Sequence, residues 1–98
     1  MKAQKTGTIE KTEIDTTTLF GSPHNVILFN DENHSFQEVV LQVIKAIKCT
    51  LEKAYKLTLE AHEKGEAVVF SGSKERCEHV DSILAGPPAS LRTDIRKA

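Results

Sequence analysis

The sequence contains 98 residues, of which 39% are hydrophobic and 28% are charged, and its formal net charge is -1. This length allows one domain with a modest hydrophobic core, and the near-neutral charge excludes the basic surface with which nucleic-acid-binding proteins contact phosphate groups. Because no stretch approaches the ~20 consecutive apolar residues of a membrane-spanning helix, we expect a soluble, cytoplasmic protein without a membrane or nucleic-acid partner.

Residues 1–22 form a polar N-terminal extension that is rich in Lys, Thr, Glu and Asp. Its few apolar residues cannot bury enough surface to offset the entropy of ordering the chain, so the extension is predicted to be disordered. A passive tail is one interpretation of such a segment. The Gly21-Ser22-Pro23 run then marks the start of a folded domain, which is predicted at residues 23–98.

The first strand is predicted at residues 25–29, because this run is too short for a helix and is rich in β-branched and large apolar residues. The polar run at residues 30–34 ends it. Ser35-Phe36-Gln37-Glu38 has the form of a capping box and is predicted to begin a helix. The apolar residues that follow recur every three or four positions, as in a helix that buries one face: Phe36, Val39, Val40, Val43, Ile44 and Ile47.

A second helix is predicted to begin after Thr50, whose side chain can accept a hydrogen bond from a free backbone amide. It is predicted to end at Gly65, which can adopt the left-handed conformation that is common at helix ends. Its inward stripe is predicted to consist of Leu51, Ala54, Tyr55, Thr58, Leu59 and His62. The short apolar run at residues 67–70 then predicts a second strand.

A third, weaker helix is predicted at residues 74–84, and the Gly86-Pro87-Pro88 run ends it because proline cannot continue a helix. Its inward residues are predicted to be Cys77, Val80, Ile83 and Leu84. At residues 91–96, charged side chains alternate with uncharged ones, as in a strand with one solvent-exposed face. The order β-α-α-β-α-β predicts an α+β fold, a two-layer domain with a three-stranded antiparallel sheet and three helices on one face.

No catalytic or metal-binding motif accompanies these elements. The Ser71-Gly72-Ser73-Lys74 run has too few glycines for a phosphate-binding loop, and the four histidines lack the clustered spacing of metal ligands. Cys49 and Cys77 also lack ligand spacing and are predicted to be free thiols. We therefore expect a protein that is not an enzyme and that uses no cofactor and no metal.

Asn30 and Asp31 follow the first strand, and His62 lies at the far end of the second helix, on its apolar stripe. Three polar acceptors beside an apolar surface suit a cationic group that is attached to a hydrophobic side chain. The N-terminus of a polypeptide is such a ligand, because its α-amino group is mostly protonated at neutral pH. Taken singly, each residue also has a structural interpretation, since Asn and Asp are common turn residues and histidine interacts favourably with a helix C-terminus.

The whole pattern resembles the ClpS family. The resemblance rests on Asn30-Asp31-Glu32 after Val-Ile-Leu-Phe, on the two helices, on Glu60-Ala61-His62-Glu63-Lys64-Gly65 and on Val68-Val69-Phe70. ClpS proteins are adaptors that deliver substrates with N-terminal degrons to the Clp unfoldase and protease. The resemblance covers roughly residues 25–98 and implies a monomeric ClpS-like adaptor domain. Its implied partners are a Clp-type AAA+ unfoldase and the N-termini of substrate proteins.

The resemblance also implies roles for single residues. Asn30, Asp31 and His62 would bind the α-amino group of the substrate. The first side chain of the substrate, which in the family is preferably that of Leu, Phe, Tyr or Trp, would enter a pocket. The residues of this pocket would be His34, Phe36, Val39, Thr58, Ala61 and Leu91.

Some positions depart from the family pattern. The family usually has Thr-Pro-Met after its acidic pair, whereas this chain has His34-Ser35-Phe36, so the stiffer Phe36 replaces a Met that gates the pocket. Thr58 replaces a second pocket Met, with less volume and an added hydroxyl group. We therefore expect altered selectivity among large N-terminal residues. The third helix, which helps to dock the unfoldase in the family, also differs, with an extra residue near Gly72 and His79 where Lys is usual.

Two other classes of function remain open. The family's fold is similar to that of the C-terminal domain of the ribosomal stalk protein, and fold alone does not decide function. The first alternative is therefore a ClpS-like interaction domain with a different ligand, or with a stalk-like docking role, that does not bind N-degrons. An enzyme is the second alternative.

Overall fold

The structure, a computed structural model, describes residues 22–98, so the extension that is predicted to be disordered lies outside the described residues except for Ser22. In the described part, strands and helices follow the predicted order β-α-α-β-α-β. They are β1 (His24–Phe29), α1 (Phe36–Ile47), α2 (Leu51–Lys64), β2 (Glu66–Gly72), α3 (Lys74–Leu84) and β3 (Thr93–Lys97). None of these three helices is both long enough and apolar enough to cross a membrane.

The predicted capping residues stand at the ends of the first two helices. Ser35 Oγ accepts a hydrogen bond from the backbone N–H of Glu38 at 3.1 Å, and Glu38 Oε1 accepts one from the backbone N–H of Ser35 at 2.8 Å. The capping box of α1 is therefore confirmed. At the start of α2, Thr50 Oγ1 accepts from the N–H of Lys53 at 3.1 Å, and α2 ends at Gly65, whose φ of 91° is left-handed as predicted.

The sheet is antiparallel in the order β2-β1-β3, so β1 is the central strand. β2 is longer than the predicted run at residues 67–70, because Glu66, Ser71 and Gly72 also pair with β1. β3 begins at Thr93, later than the predicted start at Leu91. The backbone N–H of Leu91 donates to the carbonyl oxygen of Leu84 at 3.0 Å, so this part of the chain is tied to the end of α3.

The three helices cover one face of the sheet, which confirms the predicted two-layer arrangement, and the core lies between the layers. Its largest fully buried side chains come from both layers: Val26, Leu28, Val43, Cys77 and Leu84. Both cysteines are free thiols, as predicted, and Cys77 is buried whereas Cys49 is half-buried.

The predicted inward stripe of α2 is wrong at Leu51, Tyr55 and His62, all of which are exposed. Leu51 is 64% exposed and Tyr55 is 51% exposed, whereas Ala54, Thr58 and Ala61 are buried. Large apolar side chains define a stripe in the sequence, but close packing of α2 on its neighbours admits small side chains at the contact. The larger side chains lie at the margin of the contact.

Gln42 is a buried polar residue in α1 that the apolar pattern does not predict, and only 3% of it is exposed. Its Nε2 atom donates to the carbonyl oxygens of Ile83 at 2.7 Å and of Gly86 at 3.1 Å. Carbonyl groups at a helix C-terminus lack partners within the helix. Gln42 therefore donates hydrogen bonds to carbonyl groups at the end of α3 and in the following turn, and these bonds link α1 to α3.

Candidate functional site

A hydrogen bond joins the two segments that carry the predicted acceptors. The backbone N–H of Asn30, just past the end of β1, donates to the carbonyl oxygen of Gly65, just past the end of α2, at 2.9 Å. His62 lies in the last turn of α2. The fold therefore brings Asn30, Asp31 and His62 to one corner of the domain, although His62 is far from the other two in the sequence.

This corner contains a cavity of about 490 Å³. Its lining consists of Phe29, Asn30, Asp31, Glu32, His34, Phe36, Val39, Thr58, Ala61 and His62. Eight of the nine predicted site residues thus surround one space. The ninth, Leu91, is not part of the lining.

Leu91 lies in the hydrophobic core. It is 3% exposed and belongs to the same packed cluster as Leu28 and Leu84. An apolar residue in an alternating pattern is expected to be buried, but the pattern does not distinguish the wall of a cavity from the core. The structure therefore places Leu91 among the core residues instead of in the predicted pocket wall.

The cavity wall that α2 forms is exposed at one end and buried at the other. Ala61 and His62 follow Thr58 by three and four residues, so each of them neighbours Thr58 on the helix surface. His62 is exposed, whereas Ala61 and Thr58 are only 3% and 5% exposed. The Thr58 hydroxyl donates to the carbonyl oxygen of Ala54 at 2.8 Å, which fixes its orientation. The cavity therefore has a polar rim at His62 and a buried inner wall at Ala61 and Thr58.

The wall that α1 contributes is apolar. Phe36, the first residue of α1, and Val39, one turn later, both line the cavity. The Phe36 ring meets the Tyr55 ring edge to face, with centroids 5.0 Å apart and an interplanar angle of 62°. Such pairs contribute roughly 0.5–1.5 kcal/mol beyond the burial of their surface, so Tyr55 holds Phe36 in the cavity wall.

Asp31 is held by groups of its own turn. Its Oδ1 atom accepts a hydrogen bond from the backbone N–H of Asn33 at 2.8 Å, and its Oδ2 atom lies 2.8 Å from Nδ1 of His34. The pKa of Asp31 is lowered, mainly by the bond from Asn33 and further by His34, although partial burial acts in the opposite direction. The carboxylate is therefore ionised at neutral pH and fixes a negative charge at the rim.

Three features of the rim are not predicted from the sequence. Phe29 and Glu32 line the cavity, and their position next to the Asn30-Asp31 pair is the signal that could have identified them. The third feature is the contact between Asp31 and His34. Its residues are three apart, a spacing at which a turn brings side chains together, but only the backbone geometry shows that this turn does so.

The arrangement suits an organic cation with a hydrophobic side chain. Carboxylate, amide and neutral imidazole groups at the rim can accept hydrogen bonds from a group with several N–H donors, and the apolar walls can bury an attached side chain. Within residues 22–98, no group of three or more His, Cys, Asp or Glu side chains is placed to hold a metal ion.

Comparison with protein families identifies the group to which the chain is related. A family model described as "ATP-dependent Clp protease adaptor protein ClpS" matches residues 21–86. The chain belongs to the ClpS family. The ClpS match runs from just before β1 to just beyond α3 and includes every residue of the cavity lining. The resemblance inferred from the sequence is therefore confirmed.

Relatives of this ClpS-family chain fall into two groups. The ATP-dependent Clp protease adapter protein ClpS of Thermosynechococcus vestitus is 35% identical over 66 residues, which cover 64% of this chain and 70% of the relative. The E3 ubiquitin-protein ligase UBR1 of Drosophila melanogaster is 30% identical over 93 residues, which cover 92% of this chain and 5% of the ligase. Human UBR2, another E3 ubiquitin-protein ligase, is 31% identical over 58 residues, 59% of this chain and 3% of the ligase. The chain thus spans only a small part of either ligase.

A solved ClpS structure has the same fold. ClpS2 of Agrobacterium tumefaciens, determined bound to L-phenylalaninamide, superposes with a TM-score of 0.73 and is 18% identical. The superposition covers 79% of this chain and 98% of ClpS2. The three-stranded sheet with helices on one face is therefore the ClpS fold.

Proposed function

We propose that this chain is an adaptor that binds proteins by a free N-terminal residue with a large hydrophobic side chain and delivers them to a Clp-type AAA+ unfoldase. One observation carries the binding half of this proposal. The acceptors Asn30, Asp31 and His62 and the apolar walls of α1 and α2 line the same cavity of about 490 Å³.

The rim is suited to an α-ammonium group. With an ordinary pKa of about 7.7–8.0, an α-amino group is mostly protonated at neutral pH and offers three N–H donors. Asp31 provides the negative charge, and each of its oxygens has a lone pair in addition to the one used by Asn33 or His34. The side-chain oxygen of Asn30 and a neutral ring nitrogen of His62 supply the other acceptors. Charge-assisted hydrogen bonds of this kind contribute roughly 1.5–3 kcal/mol each.

The inner part of the cavity is suited to the first side chain. Phe36, Val39 and Ala61 present only carbon atoms from their side chains, and burial of one large apolar side chain contributes about 1.5–3 kcal/mol. An N-acetylated or internal residue carries no cation and cannot form the ion pair with Asp31. Free N-termini are therefore distinguished from other peptide segments. The ClpS2 structure with L-phenylalaninamide supports this assignment, because that ligand combines a free α-amino group with a large apolar side chain.

A second candidate function uses the same binding cavity but has a different partner. The similarity to Drosophila UBR1 extends over 92% of this chain, compared with 64% for the Thermosynechococcus ClpS adapter. This observation favours, as the alternative, delivery of the bound protein to a ubiquitin ligase. Both candidates share N-terminal recognition and differ in the machinery that receives the substrate.

Binding is tested with fluorescent peptides that begin with Leu, Phe, Tyr or Trp and with the same peptides N-acetylated. Fluorescence anisotropy is measured for the wild-type chain and for Asp31→Ala, with circular dichroism as the control for folding. We expect the free peptides to bind the wild type and to lose at least tenfold in affinity for Asp31→Ala. If no free peptide binds better than its acetylated form, the proposed function is wrong.

Delivery is tested separately. A stable fluorescent protein with an N-terminal Phe is incubated with a Clp-type unfoldase and its peptidase, with and without the chain. Faster loss of fluorescence supports the Clp partner, and the same substrate with a blocked N-terminus is the control. No acceleration, together with intact peptide binding, would reject the Clp partner and favour the ubiquitin-ligase candidate.

A further inference from the structure

The inner wall of the cavity carries one hydroxyl group, that of Thr58. The residue is 5% exposed, and its Oγ1 atom donates to the carbonyl oxygen of Ala54 at 2.8 Å. Serine and threonine side chains in helices often bond in this way to the carbonyl group one turn earlier. A hydroxyl has one proton and two acceptor lone pairs. Because the proton is committed to Ala54, Thr58 can offer a ligand only an acceptor.

Thr58 lies at the depth in the cavity that the far end of a large N-terminal side chain would reach. Thr58 lies four residues before His62 on the same face of α2, which corresponds to about 6 Å along the helix axis. A residue whose α-ammonium group lies at the rim near His62 therefore brings the end of an aromatic ring to the level of Thr58. The other buried residues of the described lining, Val39 and Ala61, have no polar side-chain atoms, so Thr58 is the only buried side chain of this lining that can accept a hydrogen bond.

We infer that Thr58 makes the cavity select N-terminal residues whose side chain ends in a hydrogen-bond donor, tyrosine above all. This inference rests on the proposed binding of N-terminal residues and specifies which of them bind best. The tyrosine hydroxyl donates to Thr58 Oγ1. Phenylalanine has the same ring without the hydroxyl group, so it would exclude solvent from Thr58 Oγ1 without donating a hydrogen bond to it. A buried acceptor without a hydrogen-bond partner weakens binding.

The inference is tested with peptides that are identical except for a first residue of Tyr, Phe or 4-fluorophenylalanine. The fluorine atom fills the position of the hydroxyl group but cannot donate a hydrogen bond. For the wild type, we expect the Tyr peptide to bind about three- to tenfold more tightly than the other two, the range of a single hydrogen bond.

Two variants identify the acceptor. Thr58→Val keeps the shape of the side chain and removes the oxygen, so the ratio of Tyr to Phe affinity should fall to about one or lower. Thr58→Ser keeps the oxygen and its bond to the backbone, so the preference for Tyr should remain. Because each ratio compares two ligands of the same variant, a change in the stability of the domain does not alter it.

The outcomes separate this inference from the proposed function. The role of Thr58 is overturned if the wild type prefers the Tyr peptide to the Phe peptide by less than twofold, or if Thr58→Val keeps the same preference as the wild type. In either case, binding of both peptides still supports N-terminal recognition. Equal binding of the Tyr and 4-fluorophenylalanine peptides also overturns the role of Thr58, and this comparison needs no variant to fold. If neither peptide binds better than its acetylated form, the proposed function itself fails, and the inference fails with it.

Discussion

The Nδ1 atom of His34 lies 2.8 Å from the Oδ2 atom of Asp31. The carboxylate that we propose as the partner of a substrate's α-ammonium group therefore already contacts a side chain that can become a cation. A protonated His34 forms an ion pair with Asp31 and competes with the substrate for its charge.

Peptide affinity is predicted to depend on the charge of the peptide's α-amino group. From about pH 8 to about pH 7 the affinity should rise, because the α-amino group of the peptide gains its proton. Asp31 stays ionised throughout, since its pKa is lowered. Anisotropy titrations with a Phe peptide measure the profile.

Matched variants test how the histidines of the cavity contribute to peptide affinity. His34→Gln removes the imidazole ring that contacts Asp31 and should raise the affinity, while His62→Gln removes the proposed direct acceptor and should lower it. His79→Gln, on the exposed side of α3 and outside the cavity lining, is the control and should leave the affinity unchanged. A His62→Gln affinity equal to that of the wild type contradicts a direct role of His62.

The local features of this fold are predictable because neighbouring residues determine them. Ser35 and Glu38 form a capping box within one helical turn, and Gly65 supplies a left-handed residue by its own conformational freedom. The hydrogen bond from Asn30 to the Gly65 carbonyl depends on how two elements meet. No local pattern encodes it, so the sequence suggests that Asn30 and His62 are near each other only through the family resemblance.

Packing explains the errors of the sequence-based interpretation. Residue type indicates that Leu51 and Tyr55 prefer burial, but the small side chains of α2 occupy the contact surface and these two remain exposed. Gln42 shows the opposite case, since a polar residue is buried where it satisfies carbonyl groups at the end of α3. Leu91 is buried as its type suggests, in the core and outside the cavity lining. In each case the deciding contacts are distant in sequence.

Ionised Asp31 is predicted to stabilise the folded domain. This stabilisation should be lost in acid, when the carboxylate takes up a proton. Its pKa is lower in the folded protein than the ordinary value of 3.8, mainly because of the bond from the Asn33 amide. The contribution to the free energy of unfolding is therefore complete above the unfolded pKa and is lost as pH falls through the folded pKa. In urea unfolding from about pH 6 to about pH 2, the difference between the wild type and Asp31→Asn should shrink as pH falls.

Glu52→Gln is the control for this acid effect, because the Glu52 side chain is 82% exposed and its nearest basic partner, Lys56, is 3.9 Å away. Exposed pairs of this kind contribute little, so the variant should follow the wild type across the whole pH range. A difference between wild type and Asp31→Asn that is constant down to about pH 2 contradicts the lowered pKa of Asp31.

Gly65→Ala is predicted to lower the free energy of unfolding by about 1–2 kcal/mol, the cost of a left-handed conformation for a residue with a Cβ atom. The φ angle of Gly65 is 91°, and outside Gly65 and its two chain neighbours no heavy atom of the described residues lies within 4 Å of where a Cβ would be, so the effect is conformational and not a clash. Gly65→Asn is the matched variant and should lose less, because Asn tolerates this conformation better. Urea unfolding measures both, and equal losses for Ala and Asn would contradict the conformational explanation.

Deletion of residues 1–18 is predicted to separate substrate binding from delivery. The cavity lining lies entirely within residues 29–62, so the affinity for a Phe peptide should stay within about twofold of the wild type, well below the effect of one lost hydrogen bond to a charged group. We propose that the extension engages the unfoldase during delivery, as the resemblance to the ClpS family implies, and the deletion should therefore abolish accelerated degradation of the fluorescent substrate. A chain with the same eighteen residues in scrambled order tests whether length alone is sufficient. Loss of peptide binding on deletion would contradict this separation, and unchanged degradation would show that the extension has no part in delivery.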